Sequence, residues 1–264
     1  MNIGEWISKR AQIAPERVFL AEKEKTLSNQ AFNSRVNATA HALGHLGVSK
    51  GRRVALLMSN SGAFLEIFFA CAKTGAIMVP LNFRLATPEL LYILRDSEPD
   101  VLIYSPEFSD KVREIREAKP DVGQYFRAWG EDAPGDARFD AFVEAFPSDE
   151  PLEMLGVDLT DPLFIMYTSG TTGDPKGAVL THRNILFGAI HSLLGYGVDR
   201  SYKSLVVAPL FHIGGQWAGV YKSLIAGATA VVLPRFGATT FWDDVRRYGC
   251  TYTLLLGAMA NFVY

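Results

Sequence analysis

Apolar residues along this chain fall into two alternating kinds of run: short aliphatic or β-branched blocks, and longer stretches where they recur every three or four positions. The first kind reads as strands and the second as amphipathic helices. Residues 17–22 read as a strand. Ser28 then offers a hydroxyl N-cap to a helix whose apolar positions Phe32, Val36, Ala40, Leu43 and Leu46 share one face, with Gly47 as its stop. Residues 54–58 form a continuous apolar block, as strands buried on both faces of a parallel sheet do. Residues 62–74 read as a helix closed by Gly75, and 77–79 as a strand ended by Pro80. Thr87 and Pro88 open a further helix, with Leu90, Leu91 and Leu94 on its apolar face. A strand at 101–104 and a charged helix at 108–118 follow. Strands at 163–167, 205–207, 229–233 and 252–256 then alternate with helices at 184–194, 217–225 and 239–248.

This alternation predicts an α/β fold of layered, mostly parallel sheets flanked by helices. The stretch from about 130 to 160 is weakly patterned and holds the polar Gly/Pro-containing loop 130–136. It divides the chain into a first α/β subdomain, 1–160, and a second, 161–264. The chain halts on Phe262, Val263 and Tyr264 with no cap or polar tail. Native termini are usually polar or frayed, so a chain cut inside a larger protein is the expectation.

Charge narrows the function. With 26 basic and 28 acidic residues the net charge is −2, which lacks the basic footprint of a nucleic-acid binder. The most apolar window, 63–72, is interrupted by Glu66 and is too short for a transmembrane segment. Cys71 and Cys250, far apart in apolar settings, read as reduced thiols of a cytoplasmic protein rather than a disulfide framework.

One segment carries chemistry. After an apolar strand, Thr168, Ser169, Thr171 and Thr172 are interleaved with Gly170 and Gly173, and Lys176 and Gly177 follow. Glycines let backbone N–H groups converge on an anion without a Cβ in the way, hydroxyls add donors, and Thr168 can help to hold Mg²⁺. Lys176 supplies a mobile point charge for a polyphosphate. The ordinary P-loop pattern fails, because Pro175 precedes Lys176 and Gly177 follows it. A flexible Ser/Thr/Gly linker is the plainer reading, but a linker needs no Pro-Lys-Gly turn between two apolar strands.

The run from Tyr167 through Gly177 to Asn184 resembles the signature of the adenylate-forming superfamily, and specifically its acyl-CoA synthetase branch. Residues 208–215, Ala-Pro-Leu-Phe-His-Ile-Gly-Gly, resemble that family's next motif, and residues 79–84, Val-Pro-Leu-Asn-Phe-Arg, a turn after an early strand. The resemblance implies the large amino-terminal domain of such an enzyme, incomplete, with ATP, Mg²⁺ and coenzyme A as cofactor and substrates. It implies that the loop from Thr168 to Lys176 binds the ATP phosphates, and that Phe211, His212 and Gly214 line the carboxylate site. Lys176 and His212 would then be the catalytic residues. The reaction implied is activation of a fatty or aryl carboxylic acid as its acyl-adenylate, then transfer to coenzyme A.

The family's later motifs and its small carboxy-terminal domain do not occur in the chain. The resemblance therefore implies a fragment that is inactive alone, and exposed apolar surface on it leaves room for a homodimer. The alternative is a catalytically inactive nucleotide- or acyl-binding module. His41 and His45, four apart on one helix, lack a third ligand placed to complete a metal site.

Overall fold

The computed structural model describes residues 2–130, 136–152, 156–168 and 174–263. Its strands are β1 (Val18–Glu22), β2 (Lys25–Ser28), β3 (Arg53–Leu57), β4 (Ile77–Pro80), β5 (Val101–Tyr104), β6 (Gln124–Arg127), β7 (Ala137–Arg138), β8 (Pro162–Thr168), β9 (Lys176–Thr181), β10 (Lys203–Val206), β11 (Thr229–Val232) and β12 (Tyr252–Thr253). The helices are α1 (Gly4–Ile13), α2 (Asn29–His45), α3 (Gly62–Thr74), α4 (Thr87–Ser97), α5 (Ser109–Glu117), α6 (Phe139–Val143), α7 (His182–Tyr196), α8 (Ile213–Gln216), α9 (Lys222–Ala226), α10 (Phe241–Tyr248) and α11 (Gly257–Ala260). A π-helical turn, Trp217–Tyr221, joins α8 to α9.

Two sheets form. One runs β7-β6-β5-β3-β4-β8-β9 and the other β12-β10-β11-β1-β2. Pairing is parallel except in the hairpins β1–β2 and β8–β9, so the α/β class expected from the alternation holds. Each sheet draws strands from both sides of residue 160: β8 and β9 extend the seven-stranded sheet, and β1 and β2 the five-stranded one.

Helix α3 explains how the sheets stack. Its sequence is apolar nearly all round, which a helix tolerates only when buried on every side, and 12 of its residues are buried. It lies in the main core with Phe19 and Leu20 of β1, Val54 and Leu56 of β3, and Tyr221 of the π turn. Its start is fixed by the Ser61 hydroxyl accepting the Phe64 N–H, and its end by Gly75 at φ +75°, where any side chain would be strained. The outer face of the larger sheet is covered by α4 and α5, and that of the smaller by Phe241 of α10.

The predicted helix 239–248 begins only at Phe241, and the predicted strand 252–256 is cut to two residues because β12 finds just two partners on β10. No helix among the described residues is long and apolar enough to cross a membrane.

Candidate functional site

In sequence the Gly/Ser/Thr run connects β8 to β9. Thr168 pairs with Lys176 and Tyr167 with Gly177, so the hairpin register closes the loop onto these two residues. Ser169, Gly170, Thr171, Thr172 and Gly173 lie outside the described residues. Thr168 and Lys176 are both exposed, one on each stem of the loop. Gly177 has a packing reason to be glycine: a Cβ there would stand 2.7 Å from Ile165 Cγ2 and 3.2 Å from Tyr167 Cζ. The stem is tied down by the Tyr167 hydroxyl, which donates to Asp96 of α4. Burial, and then the Asp96 carboxylate, push the Tyr167 phenol well above its ordinary range, so it remains a donor.

The second motif leaves β10 and turns into α8. His212 caps that helix, its Nδ1 accepting the Gly214 N–H at 3.1 Å. A neutral His212 with Nδ1 as acceptor carries its proton on Nε2. Gly215 is forced by the turn, since a Cβ would fall 2.2 Å from the Pro209 carbonyl oxygen. At Gly214 the nearest atom to such a Cβ is His212 Nδ1, at 3.3 Å, so no comparable clash dictates that glycine.

The third segment, 79–84, meets the second through aromatic rings. Phe83 stands edge-on to Phe211 with centroids 5.1 Å apart and stacks on Phe108 at 5.3 Å. The Arg84 guanidinium lies over both Phe83 and Phe211, 5.8 and 5.9 Å from their centroids.

These pieces surround one cavity of about 340 Å³, whose wall includes Asn82, Met166, Thr168, Pro175, Phe211 and His212. Both ends of the Gly/Ser/Thr loop and the His-bearing motif thus face the same space, beyond the carboxyl ends of β4, β8 and β10, where open α/β sheets take ligands. A larger cavity of about 540 Å³, near Glu22, Arg35, Glu66 and Trp129, contains no motif residue. Two of its charges already pair with each other, Arg35 Nε with Glu66 at 2.7 Å.

Sequence reasoning missed the residues that hold the motifs in place. Buried Asn60, in the loop after β3, accepts the Leu210 N–H at 2.8 Å and donates to the Ala208 carbonyl at 3.0 Å. Gln216 donates to the Leu210 carbonyl at 2.6 Å and accepts from the Tyr221 hydroxyl. Lys111 of α5 donates to the Phe83 and Leu85 carbonyls at 2.9 and 2.8 Å. The one available signal was Asn60's position just past the carboxyl end of a central strand.

Comparison with known proteins gives a family match and a set of similar structures. The family described as AMP-binding enzyme matches residues 7–263. An indoleacetate–CoA ligase from Aromatoleum aromaticum is 35% identical over 263 residues, all of this chain and 51% of that protein. A crotonobetaine/carnitine–CoA ligase from Salmonella typhi is 35% identical over 231 residues, 87% of this chain and 45% of that one. Among solved structures, the inhibitor-bound N-terminal domain of FACL13 from Mycobacterium tuberculosis superposes with a TM-score of 0.87 at 33% identity. That match covers 99% of this chain and 64% of the other. An anthranilate CoA ligase bound to anthranoyl-AMP gives 0.89 at 26% identity, covering 96% and 49%. The chain spans about half the length of the curated relatives it matches.

Proposed function

Because the chain belongs to the AMP-binding enzyme family, we propose that it carries the ATP- and acid-binding part of an AMP-forming acid–CoA ligase of the cytoplasm. What carries this reading is the convergence of Thr168, Pro175, Phe211 and His212 on one cavity, although Phe211 lies 43 positions after Thr168 in the sequence. In the first step a carboxylate oxygen of the acid attacks the α-phosphorus of ATP, and the bond to the bridging oxygen of pyrophosphate breaks. In the second, the coenzyme A sulfur attacks the acyl carbon, and AMP leaves with the bond electrons.

The protein's part is positioning and charge. Backbone N–H groups and hydroxyls of residues 168–173 cradle the β- and γ-phosphates, and Lys176 offsets the charge that develops on pyrophosphate as it departs. Thr168 would offer a hard hydroxyl oxygen to Mg²⁺. Mg²⁺, when bound, supplies charge neutralisation at the phosphates. Phe211, held edge-on by Phe83, closes one wall of the acid site and His212 borders the carboxylate, whereas Gly214, expected beside it, is not part of the cavity wall. The acid is a fatty or aryl acid, the aryl option in keeping with a relative named for indoleacetate and the fatty one with a similar solved fatty acyl CoA synthetase from Mycobacterium tuberculosis.

The test is exchange of labelled pyrophosphate into ATP across a panel of acids, using the protein as its gene encodes it. Acid-dependent exchange is expected; MgATP binding without exchange for any acid would leave only a nucleotide-binding module.

A further inference from the structure

Strand β8 outruns its sheet. Its inner neighbour β4 pairs with it at one position, Met78 with Phe164, so residues 165–168 are paired only with β9. Strand β9 is the last in the sheet order and has no further strand beside it among the described residues. The two strands therefore continue beyond the sheet as a two-stranded ribbon, ending at the pair Thr168 and Lys176. An isolated ribbon of that kind is marginally stable in water, so something beside the ladder has to fix where it points.

The fixing runs through Tyr167 to α4. Ile165 and Tyr167 pack against the cluster that holds Leu90, Ile93 and Leu94 of α4. Gly177, lacking a Cβ, lets β9 close over the Tyr167 ring. The Tyr167 hydroxyl then donates to the Asp96 carboxylate. Asp96 stands in the last turn of α4, where a negative charge opposes the helix dipole, and it is exposed. Neither the helix nor the core therefore asks for an acid at this position, and the bond to Tyr167 is what it contributes. Helix α4 also gives Glu89 and Ile93 to the wall of the acid-site cavity, while the ribbon gives Met166, Tyr167 and Thr168. The Tyr167–Asp96 bond thus joins two elements that wall one cavity.

We propose that Asp96 is a positioning residue for the ATP step: through the Tyr167 hydroxyl it holds the projecting ribbon so that Thr168 and Lys176 meet the polyphosphate. The proposal rests on the acid–CoA ligase reading above. Its sign separates it from a direct effect of charge. A carboxylate near the phosphate loop repels a polyphosphate, so an Asp96 acting by charge alone would bind MgATP more tightly once removed. An Asp96 acting by position binds it more weakly once removed.

The experiment uses the protein as its gene encodes it, with Asp96→Ala, Asp96→Asn, Tyr167→Phe and the double variant Asp96→Ala/Tyr167→Phe. Calorimetric binding of MgATP and KM values from pyrophosphate exchange are measured for each. Asp96→Ala and Tyr167→Phe should each weaken MgATP binding by about 5- to 20-fold and raise its KM alike. The double variant should be no weaker than either single one, because both remove the same bond. Asp96→Asn keeps an acceptor oxygen and should restore most of the loss. In the Asp96 variants KM for the acid should move little. Tyr167→Phe, which removes one oxygen, decides the matter if Asp96→Ala fails to fold. MgATP binding that is unchanged or tighter in folded Asp96→Ala, additive losses in the double variant, or an equal rise in KM for acid and ATP overturns the proposal. A wild type that binds MgATP but exchanges with no acid sinks the ligase reading alone, and the calorimetric series still tests Asp96. A wild type that does not bind MgATP sinks both.

Discussion

The Asn60 side chain holds Leu210 from both directions: its Oδ1 accepts the Leu210 N–H at 2.8 Å, and its Nδ2 reaches the carbonyl of Ala208 two residues earlier. One amide thereby satisfies two backbone groups of the turn that delivers Phe211 and His212. The amide holds its donor and acceptor on two separate atoms of one planar group, which the single oxygen of a serine or threonine hydroxyl cannot do. Asn60→Ala leaves a buried N–H and a buried C=O unpaired and should lower stability by about 2–4 kcal/mol. Asn60→Asp should not rescue it, because a carboxylate would face the Ala208 carbonyl. In the same variants KM for the acid should rise. Thermal melts matching the wild type in Asn60→Ala would show that the turn holds itself.

Lys176 stands opposite Thr168 across the hairpin, at the end of the loop proposed above to hold the phosphates. Lys176→Ala should reduce kcat/KM for MgATP by about 100-fold, with Lys176→Arg intermediate, since arginine keeps the charge but not the compact ammonium. Stability should be untouched, because Lys176 is exposed. Equal pyrophosphate exchange in wild type and Lys176→Ala would remove this loop from the mechanism.

How much of this was legible in the sequence depends on how local the cause is. Helix α3 is bounded by residues 62 and 74 as expected because its cap, its stop and its apolar surface all lie within the segment. Helix α1 went unread: its buried residues Gly4, Ile7, Ser8 and Ala11 mix small and polar types, so no apolar stripe announces it. Strand β2 is four residues, and it turns back on β1 through Lys23 at φ +51°, a position where glycine would have signalled a turn. Strands β6 and β7 are short and finish a sheet edge, where little burial pattern is imposed. At the site, Gly/Ser/Thr/Lys chemistry marks the loop directly. Asn60 and Lys111 carry no such mark, since each acts on backbone far away in sequence, and any polar residue there reads as a solvated loop or helix face.

The ammonium of Lys73, fully buried on α3, is held by Ser8, Asn33, Asn37 and Glu150 at 2.5–2.9 Å. It fastens the segment before β8 onto α1, α2 and α3. Burial alone would raise the Glu150 carboxyl, but bonds from Lys73, Asn33 and Ser8 outweigh it and hold the group below the usual range. Glu150→Gln removes the countercharge and should cost about 2–3 kcal/mol, less than the ~3–5 typical of a fully buried pair because Glu150 is 39% exposed. Adding Lys73→Met to Glu150→Gln should recover part of that loss, as removing both charges leaves none unpaired. A double variant less stable than Glu150→Gln, by chemical denaturation, would count against the ion pair as the fastener.

His182 gives the fold an acid limit that can be placed on the pH scale. Its ring is fully buried at the start of α7, where Nδ1 accepts the Ile3 N–H at 3.1 Å, binding α1's entry to the site hairpin. Burial lowers the imidazole to about 4 against an ordinary 6.5, with Asp161 opposing the shift and Lys50 adding to it. The folded state therefore keeps His182 neutral down to about pH 4, while the unfolded chain takes up its proton below about 6.5. Stability from this group is complete above 6.5 and declines as pH falls, up to about 3 kcal/mol in all, levelling off below about 4. His182→Gln retains an acceptor for Ile3 and does not titrate, so its stability should fall less between pH 6.5 and 4 than that of the wild type. Denaturant midpoints across that window supply the comparison. Parallel curves for the two proteins would mean that His182 is charged in the fold, which its contact with the Ile3 N–H does not allow.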